Sequence, residues 1–161
     1  MVVIDDLKQI VILGYLTDEM LEKLLPHVEL QKFEEGNVIL REGDIGNTFY
    51  MLKRGKVLLE QKISDKVRVS VGSIKPGYSF GWSAMLSGEE FYSLEAICAE
   101  ECEVFSIGKE AIKRLLDDDH SMGYHLMQRI LVVVKNRLDR RTKQFLRVIT
   151  VHPDIKPLSD T

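Results

Sequence analysis

The apolar positions change their period twice along the chain. Met20, Leu21, Leu24 and Leu25 recur at helical spacing ahead of Pro26, with Thr17 as a cap residue and Asp18, Glu19 and Glu22 as early acids. This predicts a short amphipathic helix from Thr17 to Leu30. An earlier helix is expected over Ile4 to Ile12, with Leu7, Ile10 and Val11 on one face. The pattern then breaks into short runs of β-branched, aliphatic and aromatic residues: Val38 to Leu40, Phe49 to Leu52, Val57 to Leu59, Val67 to Ile74 and Val104 to Ile107. Nine of the eleven glycines fall between Gly36 and Gly108, in the gaps between these runs. Short strands punctuated by glycine suit an antiparallel sandwich or jelly roll better than alternating strand and helix units.

After Gly108 the helical period returns. Ala111, Ile112, Leu115 and Leu116 describe a short helix that pauses at the aspartates 117 to 119. A long helix is predicted from Ser121 to Ile149, a stretch without proline. One seam runs along it through Met127, Leu131, Val134, Leu138, Arg141, Phe145 and Val148 at alternating steps of four and three. A second apolar face, formed by Leu126, Ile130 and Val133, exists only near its start and gives way to Arg137 and Arg140. A narrow seam without a neighbouring apolar stripe is what helix pairing between two chains requires, so a homodimer is expected through Met127, Leu131, Val134, Leu138, Phe145 and Val148. Residues 150 to 161 carry Pro153 and Pro157 and little apolar material, and are expected to form a flexible tail. The organisation predicted is one domain over 1 to 149, with a β-roll at about 31 to 108 and helices at 109 to 149.

Composition narrows the class. With 161 residues, 45% hydrophobic and 29% charged, the chain is suited to one folded core. Its 22 Lys and Arg against 25 Asp and Glu give a net charge of -3, with no overall basic excess to advertise nucleic-acid binding. Two cysteines, Cys98 and Cys102, are too few for a disulfide framework or a four-thiolate metal site. The first residues lack the basic start of a leader, and the longest aliphatic run, Ile130 to Val134, is far short of a membrane span. A soluble cytoplasmic protein with reduced thiols is expected.

The residues Glu42-Gly43-Asp44-Ile45-Gly46-Asn47-Thr48-Phe49-Tyr50-Met51-Leu52-Lys53-Arg54-Gly55-Lys56-Val57 resemble the strand-turn-strand block of cyclic nucleotide-binding domains. Ile74-Lys75-Pro76-Gly77-Tyr78-Ser79-Phe80-Gly81-Trp82-Ser83-Ala84-Met85-Leu86 resembles the start of that family's phosphate-binding cassette. The resemblance covers about residues 15 to 149. It implies a jelly-roll sensor whose C-terminal helix reports ligand occupancy, as in catabolite-activator-like regulators, cyclic-nucleotide-gated channels and kinase regulatory subunits. It also implies a pocket at Phe80, Gly81, Trp82, Ser83, Ala84, Ser93, Leu94 and Glu95, with cyclic nucleotide as the family's ligand.

Two positions depart from the family's pattern. The place of the ribose-binding acid, after Phe80-Gly81, holds Trp82, and the place of the phosphate-pairing arginine falls at or beside Ser93. From Pro76 to Gly108 there is no Lys, Arg or His, while Glu89, Glu90, Glu95, Glu100, Glu101 and Glu103 give a local charge of -6. A cyclic phosphate would meet a negative field unless Lys53, Arg54, Lys56, Lys62 or Arg68 reached in from other strands. The cassette therefore reads as degenerate, and the chain as a non-catalytic signal-transduction module. Cyclic nucleotide binding through atypical contacts and a ligand-free dimerisation adaptor are the alternatives. The long helix is basic, with Arg129, Lys135, Arg137, Arg140, Arg141, Lys143 and Arg147 against Asp139 alone, complementary in sign to the cassette.

Trp82 has two readings: stacking on an aromatic ligand, or filling the space a ribose would occupy. Ser83 and Ser93 are candidate hydroxyl donors, or caps of turns. His120, His125, Met122 and Met127 are not paired by spacing for haem, since five residues separate the two histidines on a helix, and no metal site is expected. No nucleophile elbow, paired metal-binding histidines or Walker loop is present, so no catalytic residues are assigned. No recognition helix follows the long helix, which predicts a stand-alone sensor without direct DNA binding, and no membrane partner is expected.

Overall fold

The computed structural model describes residues 1 to 153. The chain divides into two compact units, Met1–Leu126 and Met127–Thr161. The first unit holds all the strands. In chain order it contains α1 (Ile4–Lys8), α2 (Asp18–Leu24), β1 (Glu29–Phe33), β2 (Val38–Leu40), β3 (Thr48–Arg54), β4 (Val57–Ser64), β5 (Val67–Ile74), β6 (Ser79–Phe80), β7 (Glu95–Cys98), β8 (Cys102–Gly108) and α3 (Lys109–Asp118). Helix α4 spans His120–Thr150 and continues into the second unit. Single 3-10 turns lie at Leu25–His27 and Trp82–Met85.

Two four-stranded antiparallel sheets form the roll, in the orders β1-β8-β3-β6 and β2-β7-β4-β5. Their facing sides enclose Leu40, Leu52, Val57, Ile74, Phe80, Tyr92, Ala96, Cys98, Cys102 and Val104, all buried. Strand β3 alternates, as a strand must, between this interior and the other face of its sheet. Leu52 points inward with the half-buried Tyr50 beside it. Phe49 and Met51 point outward onto Ile12, Leu13, Leu24, Ile112, Met122 and Leu126 of the helical layer. This layer closes around a void of only about 20 Å³. The mostly β architecture with flanking helices and a long terminal helix is the one the periodicity predicts.

The ends of several elements move from their expected places. The helix expected over Thr17 to Leu30 is capped by the Thr17 hydroxyl, which accepts from the Met20 N–H at 3.3 Å. It stops at Leu24, turns once through Pro26, and gives way to β1. Proline lacks the N–H that an α-helix would need there, and Leu30 instead pairs with Phe105 of β8. The first helix ends at Lys8 rather than Ile12, because the Val11 N–H donates to the Gly77 carbonyl at 2.9 Å and draws the chain onto the roll. The long helix agrees within a residue at each end. Of the expected tail, Thr150 belongs to α4, and residues 154 to 161 lie outside the described residues.

Asp119 organises the junction of α3 and α4. Its carboxylate accepts from the Met122 N–H at 2.9 Å and pairs with the Lys23 ammonium of α2 at 2.9 Å. The Lys23 hydrogen bond, then the Met122 bond, hold its carboxyl below the ordinary aspartate range.

Gly55, between β3 and β4, has a φ of +96°, and a Cβ there would stand 2.5 Å from the Glu101 carbonyl oxygen and 2.7 Å from the Cys102 sulfur. Gly55→Ala should therefore cost about 2–4 kcal/mol, from overpacking together with left-handed strain. Urea denaturation would show this as a lower midpoint with an unchanged slope.

Candidate functional site

The cassette begins on β6, whose Phe80 and Ser79 pair with Tyr50 and Met51 of β3. Phe80 is buried and its ring stacks on Tyr50, with centroids 5.3 Å apart at 14°. Gly81 turns the chain with a φ of +76°, and a Cβ there would come within 2.9 Å of the Thr48 carbonyl oxygen. Only glycine permits that approach. The 3-10 turn that follows places Ala84 in the core and leaves Trp82 half-buried.

Trp82 does not belong to the interior cluster of the roll. Its indole meets the edge of Phe49, with centroids 5.0 Å apart, and Phe49 points to the helical layer. Tyr92, like Phe80, is one of the rings enclosed in the roll. Its hydroxyl donates to the Thr48 carbonyl at 2.7 Å and accepts from the Thr48 N–H at 3.0 Å. Burial, partly offset by the Thr48 bonds, raises the phenol above its usual range.

Backbone bonds fasten the same segment to the loop between β2 and β3. The Gly43 N–H donates to the Tyr92 carbonyl at 2.8 Å, Tyr92 N–H to Asp44 at 2.9 Å, and Gly46 N–H to Glu90 at 2.7 Å. The Ser83 hydroxyl donates to the Phe91 carbonyl at 2.8 Å, which is the turn-capping reading of that serine. Ser93 is exposed, Leu94 half-buried and Glu95 buried. The expected pocket residues thus divide. Phe80, Gly81 and Ala84 line the inner turn, Trp82 and Ser83 bind neighbouring protein, and Ser93 and Glu95 lie away from the interior.

Cations do reach the acidic segment from elsewhere in the roll. Arg68 of β5 pairs directly with Glu95, and Arg41 lies 3.9 Å from its other oxygen. Lys109 donates to the Gly88 carbonyl. Arg68 was among the candidates for such a reach, whereas Arg41 and Lys109 were missed because only the tertiary structure brings the start of the β2–β3 loop and the start of α3 to these places. Glu42, Glu60, Lys62, Arg68 and Glu95 line a cavity of about 290 Å³. Cross-strand register puts it on the outer side of the sheet: Val57 faces Cys98 and Leu59 faces Ala96 in the interior, while Glu60 faces Glu95 one step on. This charged cavity is therefore separate from the inside of the roll.

The thiols are structural. Cys98 and Cys102 are both buried, and burial, together with the neighbouring Cys102, pushes the Cys98 thiol up to about 12. Among the described residues no group of three His, Cys, Asp or Glu side chains is placed to hold a metal ion, and no helix is long and apolar enough to cross a membrane.

The profile of the cyclic nucleotide-binding domain matches residues 30–119. The chain belongs to the cyclic nucleotide-binding domain family. It is 34% identical over 110 residues to the cAMP-dependent protein kinase regulatory subunit of Hypocrea atroviridis, a match that takes in 68% of this chain and 22% of that protein. It is 24% identical over 114 residues to the cGMP-dependent protein kinase, isozyme 1, of Drosophila melanogaster, covering 70% of this chain and 15% of that one. The chain thus spans about a fifth of the length of these kinase relatives. Among solved structures, a Geobacter metallireducens chain assigned to the cyclic nucleotide-binding proteins superposes with a TM-score of 0.75 at 25% identity, covering 86% of this chain and 99% of that one. A cyclic nucleotide-binding domain from Methylobacillus flagellatus gives a TM-score of 0.77 at 18% identity, covering 89% and 80%. The family is one of regulatory domains named for cyclic nucleotide binding.

Tyr92 was not singled out from the sequence. The only signal was an aromatic beside the arginine's expected place, between Glu90 and the strand that starts at Glu95. Tyr92→Phe leaves the Thr48 N–H and carbonyl without the phenol, and should cost about 1–3 kcal/mol. The loss is measurable by urea denaturation, with faster hydrogen exchange at the Thr48 amide.

Proposed function

We propose that this domain is a non-catalytic regulatory module whose cassette is degenerate and does not hold a cyclic phosphate. The observation that carries this reading is Tyr92. Its ring is buried in the roll beside that of Phe80, and its hydroxyl is engaged twice by Thr48. The segment from Pro76 to Gly108 supplies no cationic side chain, and Arg68, one of the cations that could have reached in from another strand, is held by Glu95 on the outer side of the sheet. A buried phosphate without a guanidinium partner loses roughly 2–5 kcal/mol, or tens to thousands of fold in affinity. Regulation would then pass through protein contacts of the long helix.

Thermal denaturation with cAMP or cGMP tests the ligand. A nucleotide at a hundred times its dissociation constant would add about 2.7 kcal/mol, or very roughly 5–10 °C. The expected shift at millimolar nucleotide is none. A shift of that size would establish the alternative, cyclic nucleotide binding through atypical contacts.

The same reading makes the working unit a homodimer through residues 127 to 148. Met127, Leu131, Val134, Leu138, Phe145 and Val148 are each at least 39% exposed, which leaves an apolar stripe in water, interrupted at Arg141. Sedimentation should give a dimer for the natural chain. Leu138→Asp should weaken association by at least about 100-fold, because pairing would bury an unpartnered charge.

A further inference from the structure

The charged cavity on the outer side of the sheet breaks a rule that strands ordinarily keep. Glu60 of β4 stands directly opposite Glu95 of β7, and two residues further along β4 Lys62 stands directly opposite Arg68 of β5. Like charges directly opposite one another destabilise a sheet. Exchanging the two β4 side chains would set an opposite charge in both pairs, yet the chain keeps an acidic row and a basic row on one face, about 7 Å apart.

Ion pairing leaves both rows incomplete. Arg68 reaches diagonally over β4 to Glu95, and Arg41 lies 3.9 Å from the other oxygen of that carboxylate. Lys62 turns aside to Asp65 at 2.6 Å. Among the described residues the Glu60 carboxylate has no hydrogen-bond or ion-pair partner, and that of Glu42 has only the Lys62 backbone N–H at 3.4 Å. Acceptor capacity is therefore unused at the acidic end. Donor capacity is unused at the basic end, since a guanidinium carries five N–H groups and an ammonium three.

We infer that this cavity is a binding site for a small zwitterion whose ammonium and carboxylate are separated by a polar spacer, as at the two ends of a dipeptide. The ammonium sits between Glu42 and Glu60, and the carboxylate takes the spare donors of Arg68 and Lys62. A lone anion would be repelled by the two acids, and a lone cation by the two bases. Among the described residues no trio of His, Cys, Asp or Glu is placed to hold a metal ion. The volume of about 290 Å³ is well above that of one ion and lies at the lower end of the range for small-molecule sites. All five lining residues are charged, so the wall offers an apolar spacer nothing to pack against. An α-amino acid carries both its charges on one carbon and cannot reach both rows, whereas an extended dipeptide spans about 7 Å.

Isothermal titration of the full chain at low salt tests the site. The probes are glycylglycine, N-acetylglycylglycine, which lacks the ammonium, and glycylglycine amide, which lacks the carboxylate. Saturable binding of the dipeptide is expected, with each blocked form at least about tenfold weaker. A blocked form that binds as tightly as the dipeptide, or no binding of the dipeptide up to about 10 mM, overturns the assignment. Glu60→Gln locates the site. It should lose at least about tenfold in affinity while raising the thermal midpoint of the free protein, because it removes a like-charge pair and breaks no ion pair. Unchanged affinity overturns the location, and a lowered midpoint overturns the premise that Glu60 is held against the stability of the sheet. Lys62 has a half-exposed side chain, so Lys62→Gln is a second variant that should fold. It should weaken glycylglycine and leave glycylglycine amide unchanged, and equal loss for both overturns the placing of the carboxylate. None of these readouts depends on whether the cassette holds a cyclic nucleotide, because the cavity is separate from the inside of the roll.

Discussion

Strand β3 must satisfy two apolar environments at once, and the rest of the first unit is arranged around that requirement. Successive side chains of a strand point to opposite faces, so Phe49 and Met51 seat the helices while Leu52 and Tyr50 face the interior of the roll. Strand β8 covers one edge of β3 and the two-residue β6 covers the other. The cassette therefore departs from β6 with its direction already set by pairing to Tyr50 and Met51. Thr48, the first residue of β3, receives the Tyr92 hydroxyl. Both ends of the cassette are anchored to one strand, and movement of the segment would have to disturb the strand that also seats the helices.

The charges are arranged by a different logic. A near-neutral chain conceals a cassette region without cations and a distal helix with a large basic excess. The acids of the cassette region are met partly within the roll itself: Arg68 and Arg41 converge on Glu95, and Lys32 pairs with Glu103 at 3.2 Å. Of these, the Arg68 and Glu95 pair bears most on the fold, because it ties β5 to β7 across the intervening β4. The basic residues of the helix have no comparable set of acids on their own element.

Much of the architecture was legible from period and punctuation. Thr17 is the cap its position implies, the runs at Val38, Phe49, Val57, Val67 and Val104 are strands, and the long helix begins and ends within a residue of its expected limits. These features depend on local geometry, where side-chain period and turn chemistry are sufficient. Strand β1 was hidden because the spacing of apolar residues from Val28 to Phe33 is ambiguous in so short a segment: Leu30 satisfies a helical period as readily as a strand, and only β8 supplies the partner that decides between them. The residues expected to form the pocket are placed apart from one another. Phe80, Gly81 and Ala84 line the inner turn, but Trp82 turns to Phe49, and Tyr92 takes the interior.

Sequence alone determined the class of fold, the absence of a cation from the cassette segment and the seam with its single arginine, since each follows from residue type and interval along one chain. Tertiary structure decided that Tyr92 rather than Trp82 joins Phe80 in the roll, which arginines reach Glu95, and that the charged cavity opens on the outer side of the sheet. Those outcomes depend on cross-strand register and on loops meeting from distant parts of the chain, where a shift of one residue exchanges the two faces of a strand.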